Sequence, residues 1–222
     1  MAFWFTSDWH GIKEFYPKVK EIIKPGDTVI FGGDANDRGP DGWELIKTLL
    51  TDDQFIYIRG NHEQMLIDAT RNPHEEALLY CNGGQKTFID WENQEMNEEW
   101  IKYLDKMTTF QFTYINAAGQ IIYITHSGYW GVDNYEKLWN REHTGKNWET
   151  SSCDIIVHGH TPVCYIAQTW GDRSALAQGD GLFNKEYWYC DNRKCCVDVA
   201  SYHTRQTILL NLDTWESILI KV

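Results

Sequence analysis

The stretch TVIFGGDANDRG, at residues 28–39, joins a short apolar run to a loop of glycine and charged residues. Its first part, Thr28–Phe31, is rich in β-branched and aromatic residues and predicts a buried strand. Ligands on open α/β sheets bind where the strands reach their carboxyl ends. In such a fold, the loop at residues 33–39 therefore lies where a functional site is expected.

Four other polar patterns also follow apolar runs. They are SDWHG at residues 7–11, GNHE at 60–63, HSG at 126–128 and HGHT at 158–161. Carboxylates, amides and imidazoles are the ligands of divalent metals that prefer oxygen and nitrogen. The five patterns together offer the candidate ligands Asp8, His10, Asp34, Asn61, His126 and His160. They predict a site for two divalent metal ions.

The spacing of these residues indicates how two ions would share them. Asp8 and His10 are two positions apart, so an extended backbone would point both side chains to the same side and at one metal. Asp34 could bridge the ions through its two carboxylate oxygens. The second ion would be completed by Asn61, His126 and His160. A glycine precedes several ligands, at Gly33, Gly60 and Gly159, where the missing side chain lets the backbone turn sharply.

Other residues of the patterns suit the hydrolysis of a phosphate ester. Two metal ions roughly 3.5 to 4 Å apart can acidify a trapped water and bind the attacking and non-bridging oxygens. In-line displacement by hydroxide then needs further positive charge and a proton for the leaving oxygen. Arg38 offers a planar fork for phosphate. His62 can protonate the leaving group, with Asp37 as the carboxylate that orients it.

Length and composition limit the class of protein. A chain of 222 residues with 42% hydrophobic residues favours one domain over residues 1–222. No apolar run reaches the ~18 residues needed to cross a bilayer, and a candidate ligand as early as Asp8 leaves no room for a signal peptide. We therefore expect a cytoplasmic protein whose six cysteines are reduced thiols.

The formal net charge of −12 argues against nonspecific nucleic-acid binding, which needs a basic surface. An acidic protein also repels a phosphorylated substrate unless the site itself is positive. Two bound cations would supply that positive charge locally. The rest of the acidic surface favours substrates that carry basic residues near the phosphate.

Strands and helices alternate through much of the chain. Strands are predicted at residues 3–6, 28–31, 55–59, 121–125 and 155–157, and helices at 16–24, 42–50, 63–68, 75–81 and 98–107. The C-terminal third has predicted strands at 195–199, 206–212 and 216–222. This order predicts an α/β fold with two sheets flanked by helices. Residues 168–194 have no clear period and predict a long surface excursion.

Two of the patterns carry a specific resemblance. GDxxDRG at residues 33–39 and GNHE at 60–63 resemble the signatures of the phosphoprotein phosphatase family within the calcineurin-like metallophosphoesterases, and the chain is most similar to lambda-type serine/threonine phosphatases of bacteria and phages. NGGxxT at 82–87 and LWNRE at 138–142 resemble further segments, and the second identifies Arg141 as another phosphate-binding arginine. Two positions depart from the family pattern, since Ser7 replaces a glycine and VDVA at 197–200 replaces DTGA.

The resemblance implies a four-layer α/β/β/α sandwich that holds two divalent ions, usually Mn, with Fe, Zn or Ni as alternatives. It assigns one ion to Asp8, His10 and Asp34, and the other to Asp34, Asn61, His126 and His160. The implied activity is hydrolysis of phosphomonoesters, with proteins phosphorylated on serine or threonine, or small phosphoesters, as substrates.

Two alternatives remain open. The first is a hydrolase of dinucleotide polyphosphates or other small nucleotides, although such enzymes commonly have Asp where this chain has Glu63. The second is a catalytically silent metal-binding module. The presence of His62, of Arg38 and of every candidate ligand argues against the second.

Overall fold

The computed structural model describes residues 1–141, 152–171 and 184–222 of the chain. In these ranges the strands form two five-stranded sheets. In chain order they are β1 (Phe3–Thr6), β2 (Thr28–Phe31), β3 (Phe55–Tyr57), β4 (Phe112–Ile115), β5 (Ile121–Ile124), β6 (Ile155–His158), β7 (Tyr187–Tyr189), β8 (Lys194–Cys196), β9 (Gln206–Asn211) and β10 (Ser217–Lys221). The first sheet has the order β10-β9-β1-β2-β3 and the second has the order β4-β5-β6-β8-β7.

Helices connect the parallel strands and cover the sheets. They are α1 (Phe15–Ile22), α2 (Gly42–Thr51), α3 (Asn61–Arg71), α4 (Glu76–Cys81), α5 (Gln85–Glu92), α6 (Asn97–Met107), α7 (Asn134–Trp139), α8 (Val163–Thr169) and α9 (Ser201–Thr204). Because β1, β2 and β3 are parallel neighbours, each pair needs a crossover connection, and α1 and α2 supply it. None of the helices described is long and apolar enough to span a bilayer.

Alternate side chains of the strands divide the core into layers. In β1 and β2, Phe5 and Ile30 pack in one cluster with Ile124 of the second sheet. Their neighbours Trp4 and Val29 belong to another cluster, which includes residues of α1 and α2. Because successive side chains of a strand point to opposite faces, one face of the first sheet is buried against the second sheet and the other face against helices. The predicted α/β class with two stacked, helix-flanked sheets is confirmed.

Several elements differ from the sequence prediction. The strand predicted at 195–199 ends at Cys196, because the carbonyl of Asp198 accepts a hydrogen bond from Val163 N at the start of α8, at 2.8 Å. Strand β4 was not predicted, since its side chains alternate between half-buried and exposed positions without a strong apolar run. Part of the predicted excursion at 168–194 is the edge strand β7, whose Tyr189 is buried. Residues 172–183 of that segment lie outside the described ranges.

Candidate active site

The five polar patterns meet at one edge of the two sheets. They follow β1, β2 and β3 of the first sheet and β5 and β6 of the second, which run parallel within each sheet. Backbone hydrogen bonds join neighbouring loops, since Asp8 N donates to Gly33 O at 2.9 Å and Gly159 N donates to His126 O at 3.0 Å. The loops of the two sheets are joined by His160 N, which donates to Asp8 Oδ1 at 3.1 Å. The strand ends thus gather the predicted site.

The backbone of these loops adopts conformations that side chains rarely allow. Positive φ angles occur at Asp8 (58°), His10 (43°), Asp34 (59°), Asp37 (68°), Arg38 (64°) and His160 (68°). The expected extended backbone from Asp8 to His10 is therefore wrong, since both residues are left-handed. Such residues cost about 1–3 kcal/mol each and persist where the surrounding structure holds them, which is common at functional sites.

Two glycines make room for carboxylates of the site. A Cβ on Gly60 would stand 2.1 Å from Asp34 Oδ1, and a Cβ on Gly159 would stand 1.9 Å from Asp8 Oδ2. Both distances are far below van der Waals contact, so only glycine lets these backbones approach the carboxylates. The sequence predicts that glycine is needed before the ligands, and Gly60 and Gly159 meet that need. The physical reason at these two positions is the close approach of a carboxylate rather than a sharp turn.

Four of the candidate ligands surround one point, and we call them the His126 cluster: Asp34, Asn61, His126 and His160. Asn61 Oδ1 lies 2.9 Å from His126 Nε2 and 3.0 Å from His160 Nδ1. Asp34 Oδ1 lies 3.3 Å from His126 Nε2. The other nitrogen of His126, Nδ1, donates to Gly32 O at 2.7 Å, which leaves Nε2 facing the cluster. All four side chains are buried.

Burial and charge set the protonation of these rings. Burial would lower the pKa of His126, but the Asp34 carboxylate raises it to about 9. Burial holds the pKa of His160 well below its usual value, so this ring is neutral and keeps a lone pair. A divalent ion bound here would take the place of the proton on His126. The mixed oxygen and nitrogen donors of the His126 cluster fit such an ion.

A second group of donors lies on the other oxygen of Asp34. Asp34 Oδ2 is 3.8 Å from both His10 Nε2 and His62 Nε2. His10 Nδ1 donates to Asn36 O at 3.1 Å, and burial holds the pKa of His10 well below its usual value, so Nε2 carries a lone pair. Arg38 Nη1 donates to that lone pair at 2.6 Å. A metal ion held by His10 would therefore require Arg38 to release this nitrogen.

Asp8 is buried at the same edge but is not among the close donor groups found in the described part of the chain. Its carboxylate accepts hydrogen bonds from Ser7 Oγ and from His160 N. Burial raises the pKa of Asp8, and the nearby carboxylate of Asp198 raises it further. Ser7, which stands where the family pattern has glycine, thus contacts a predicted metal ligand directly.

His62 and Asp37 are in contact, as their sequence patterns predict. His62 Nδ1 donates to Asp37 Oδ2 at 2.7 Å. His62 Nε2 accepts from Arg38 Nη2 at 3.2 Å. The NGGxxT segment supports this loop, because Thr87 Oγ1 accepts from Asp37 N at 3.1 Å and Gly83 O accepts from Arg38 N at 2.8 Å. The segment that strengthens the family resemblance therefore fixes the backbone of Asp37 and Arg38.

A cavity of about 520 Å³ adjoins the His126 cluster. Its lining includes Arg38, Arg141, His160, Tyr165, Asp198 and Tyr202. Both arginines predicted to bind phosphate therefore reach the same cavity. Asp198 is not among the site residues predicted from the sequence, where its only signal is the departure of VDVA from the family pattern. Burial raises the pKa of Asp198 to about 6.

Glu63 ties together the loops that carry Asp34 and Asn61. Its carboxylate accepts hydrogen bonds from Asp34 N, Ala35 N, Gly60 N and Tyr57 Oη, at 2.9, 2.7, 2.7 and 2.9 Å. The side chain is fully buried, so water cannot replace these bonds. From the sequence alone, Glu63 bears only on the choice between two substrate classes. The structure gives it a second role, which is to hold two loops in register.

We expect Glu63→Gln to lower the free energy of unfolding by about 2–5 kcal/mol, because in either orientation the amide nitrogen would face at least one backbone N–H from which it cannot accept a hydrogen bond. Urea denaturation would measure the loss, with the exposed Glu99→Gln as the matched control. A loss below about 1 kcal/mol would show that the four bonds are not needed.

Two facing sheets whose strand ends gather Asp, Asn and His donors beside a cavity with two arginines define a metal-dependent phosphoesterase. The chain belongs to the calcineurin-like phosphoesterase family, whose sequence model matches residues 1–193. This agrees with the class of fold and enzyme that the sequence predicts.

Curated relatives of similar sequence include two bacterial phosphatases. The chain is 28% identical over 171 residues to serine/threonine-protein phosphatase 1 of Salmonella typhimurium, covering 72% of this chain and 78% of that protein. It is 25% identical over 183 residues to serine/threonine-protein phosphatase 2 of Escherichia coli, covering 71% and 78%. The chain is thus similar over most of its length to two bacterial enzymes of this name.

Solved structures share the fold at lower identity. A protein serine/threonine phosphatase from Saccharomyces cerevisiae superposes with a TM-score of 0.65 at 11% identity, covering 100% of this chain and 80% of that one. A protein provisionally assigned as a diadenosine tetraphosphatase superposes with a TM-score of 0.62 at 13% identity, covering 99% and 92%. These likenesses show the fold alone.

Proposed function

We propose that this chain is a serine/threonine protein phosphatase that uses two divalent metal ions. The observation that carries the proposal is the position of Asp34. Its Oδ1 belongs to the His126 cluster, whereas its Oδ2 lies beside His10 and His62, so one carboxylate serves two adjoining donor groups. The two curated relatives named as serine/threonine-protein phosphatases support the substrate class.

The proposed ligands are those that the family resemblance implies. One ion would be held by Asp8, His10 and Asp34, and the other by Asp34, Asn61, His126 and His160. Carboxylate and amide oxygens together with neutral imidazoles suit Mn, which is the ion we propose. The same donors would accept Fe, Zn or Ni. We also propose one domain over residues 1–222, and the cytoplasmic location stays a prediction.

The side chains of the site divide the work of hydrolysis. When bound, the two ions would neutralise phosphate charge and lower the pKa of the attacking water. Arg38 and Arg141, which line one cavity, would bind phosphate oxygens through their planar guanidinium groups. We expect Arg38 to exchange its contacts with His10 and His62 for these oxygens. Once Arg38 has moved away, His62 Nε2 would take up a proton from water, and His62, oriented by Asp37, would give that proton to the leaving oxygen.

A second candidate function is hydrolysis of a dinucleotide polyphosphate. The observation in its favour is that Tyr165 and Tyr202 line the phosphate cavity, and aromatic rings can stack on a nucleotide base. Glu63 is the feature against it, because enzymes of that class commonly carry Asp there.

A substrate panel separates the two candidates. We expect a phosphoserine or phosphothreonine peptide to be hydrolysed with a higher kcat/KM than diadenosine tetraphosphate, with a small aryl phosphate as reference for the chemistry. Each assay would be run after chelation and repeated with Mn, Fe, Zn or Ni added back. The protein-phosphatase proposal fails if the dinucleotide has the higher kcat/KM, and the Mn proposal fails if another ion gives more activity at equal occupancy.

A further inference from the structure

A groove separate from the cavity of Arg38 and Arg141 lies between α3, the chain from Glu75 into α4, and α7. It has a volume of about 490 Å³. Its apolar lining consists of Met65, Leu78, Phe110, Tyr135, Leu138 and Trp139. Met65 and Leu138 are buried and form the floor, whereas Leu78 is 45% and Tyr135 is 67% exposed. The described chain therefore leaves large apolar side chains open to solvent in one place.

The walls of this groove lead directly to the candidate active site. Met65 lies four residues after Asn61 on α3, which is about 6 Å along a helix. Trp139 lies two residues before Arg141, so roughly 7 Å of extended chain separates them. Helix α7 is also bonded to the loop of His126, because Ser127 Oγ donates to Glu136 O at 2.8 Å. A substrate segment about two to four residues from the phosphate could reach the groove.

The charge of the groove is negative. Asp68 and Glu75 belong to its lining, and neither forms an ion pair with a lysine or arginine of the described ranges. Arg59 stacks on Phe110 at 4.8 Å, but it is paired with Asp105 at 2.7 Å. The groove thus combines an apolar floor with two carboxylates that lack a basic partner among the residues described.

We propose that this groove binds a segment of the phosphoprotein substrate that carries a large apolar residue next to a basic one. The inference rests on the proposed phosphatase function and deepens it, because it names what the enzyme recognises beside the phosphate. The apolar side chain would be buried against Met65 and Leu138, and the basic side chain would pair with Asp68 or Glu75. In this proposal, Asp68 and Glu75 are the part of the acidic surface that recognises the basic residue of the substrate.

Matched phosphoserine peptides test the groove. In the first pair, one peptide has Leu-Arg two to four positions before the phosphoserine and the other has Ser-Gln at the same positions. In the second pair, the same two dipeptides lie two to four positions after the phosphoserine. We expect the wild-type enzyme to prefer Leu-Arg on one side by about tenfold in kcat/KM, since one well-placed anchor carries binding of this size.

Two variants and two controls connect that preference to the groove. Tyr135→Ala and Glu75→Gln should each reduce the preference severalfold and leave a small aryl phosphate unaffected. Tyr103→Ala is the control for the first, because Tyr103 is also exposed and also packs on a tryptophan, with ring centroids 6.0 Å apart against 6.2 Å for Tyr135. Glu99→Gln is the control for the second, since Glu99 is exposed on α6, away from the groove lining.

The possible outcomes distinguish a failure of the groove inference from a failure of the proposed phosphatase function. If the enzyme hydrolyses phosphopeptides but prefers neither side, or keeps its preference in both groove variants, the groove inference is overturned and the phosphatase proposal stands. If the groove variants unfold at a lower temperature without changing the preference, the groove packs against the enzyme's own chain and the inference is again wrong. If no phosphopeptide is hydrolysed while a dinucleotide is, both proposals fail.

Discussion

The variant Asp34→Asn should lose hydrolysis of a small aryl phosphate by at least about 10³-fold, because the two proposed ions would supply several kcal/mol of charge stabilisation and each 1.36 kcal/mol is tenfold in rate. Burial alone would raise the pKa of Asp34, but the neighbouring His126 and His62 hold it well below its usual value, so this buried side chain is a carboxylate. Asparagine has the same shape, but it removes the charge and places an amide nitrogen, which cannot bind a metal, on one of the two sides.

The fold should survive this change. An asparagine oxygen can still accept the bond from His62 N that Asp34 Oδ1 accepts at 3.1 Å. We therefore expect near-normal thermal unfolding of the metal-free protein together with a loss of bound Mn, measured by elemental analysis. Asp90→Asn on α5 is the control for the loss of one carboxylate, because Asp90 pairs with Lys86 and belongs to neither group of metal donors. Retention of two ions by Asp34→Asn would remove the bridging role from this residue.

Much of this site follows from the sequence because short apolar runs predict strands, and the chain order predicts that parallel strands end at one edge. Asp34, Asn61 and His160 come together for that reason. The pairing of His62 with Asp37 could also be expected, since the two patterns that contain them follow neighbouring strands. Such predictions need only the local period of the chain and the geometry of a sheet.

Other features depend on contacts that no local pattern contains. The left-handed backbone of His10 is held by its N–H, which donates to Asp34 O at 3.0 Å across two loops. Asp198 reaches the cavity lined by Arg38 and Arg141 only because the C-terminal segment after β8 passes beside α8. The groove is formed by α3 and α7, which are some seventy residues apart in sequence. All three features depend on long-range packing, which local sequence patterns do not predict.

The variant His62→Asn should keep its metals but slow turnover by about 10² to 10⁴-fold, which is the range for loss of a general acid. His62 Nδ1 is held by Asp37 Oδ2 at 2.7 Å, and only its Nε2 is left to meet a leaving oxygen. Asparagine can still bond to Asp37 but cannot donate a proton to the substrate as an acid. His74→Asn, at an exposed turn, is the matched control.

The size of this loss should depend on the leaving group, and that dependence distinguishes proton donation from a role in shape or charge. Nitrophenolate leaves without help because its conjugate acid has a low pKa, whereas the alkoxide of serine must be protonated as the bond breaks. His62→Asn should therefore slow a nitrophenyl phosphate least and a phosphoserine peptide most. Because Arg38 Nη2 also contacts His62 Nε2 at 3.2 Å, the variant could instead misplace Arg38. A misplaced phosphate ligand would slow every substrate by the same factor, so equal losses across the series would remove the acid role from His62.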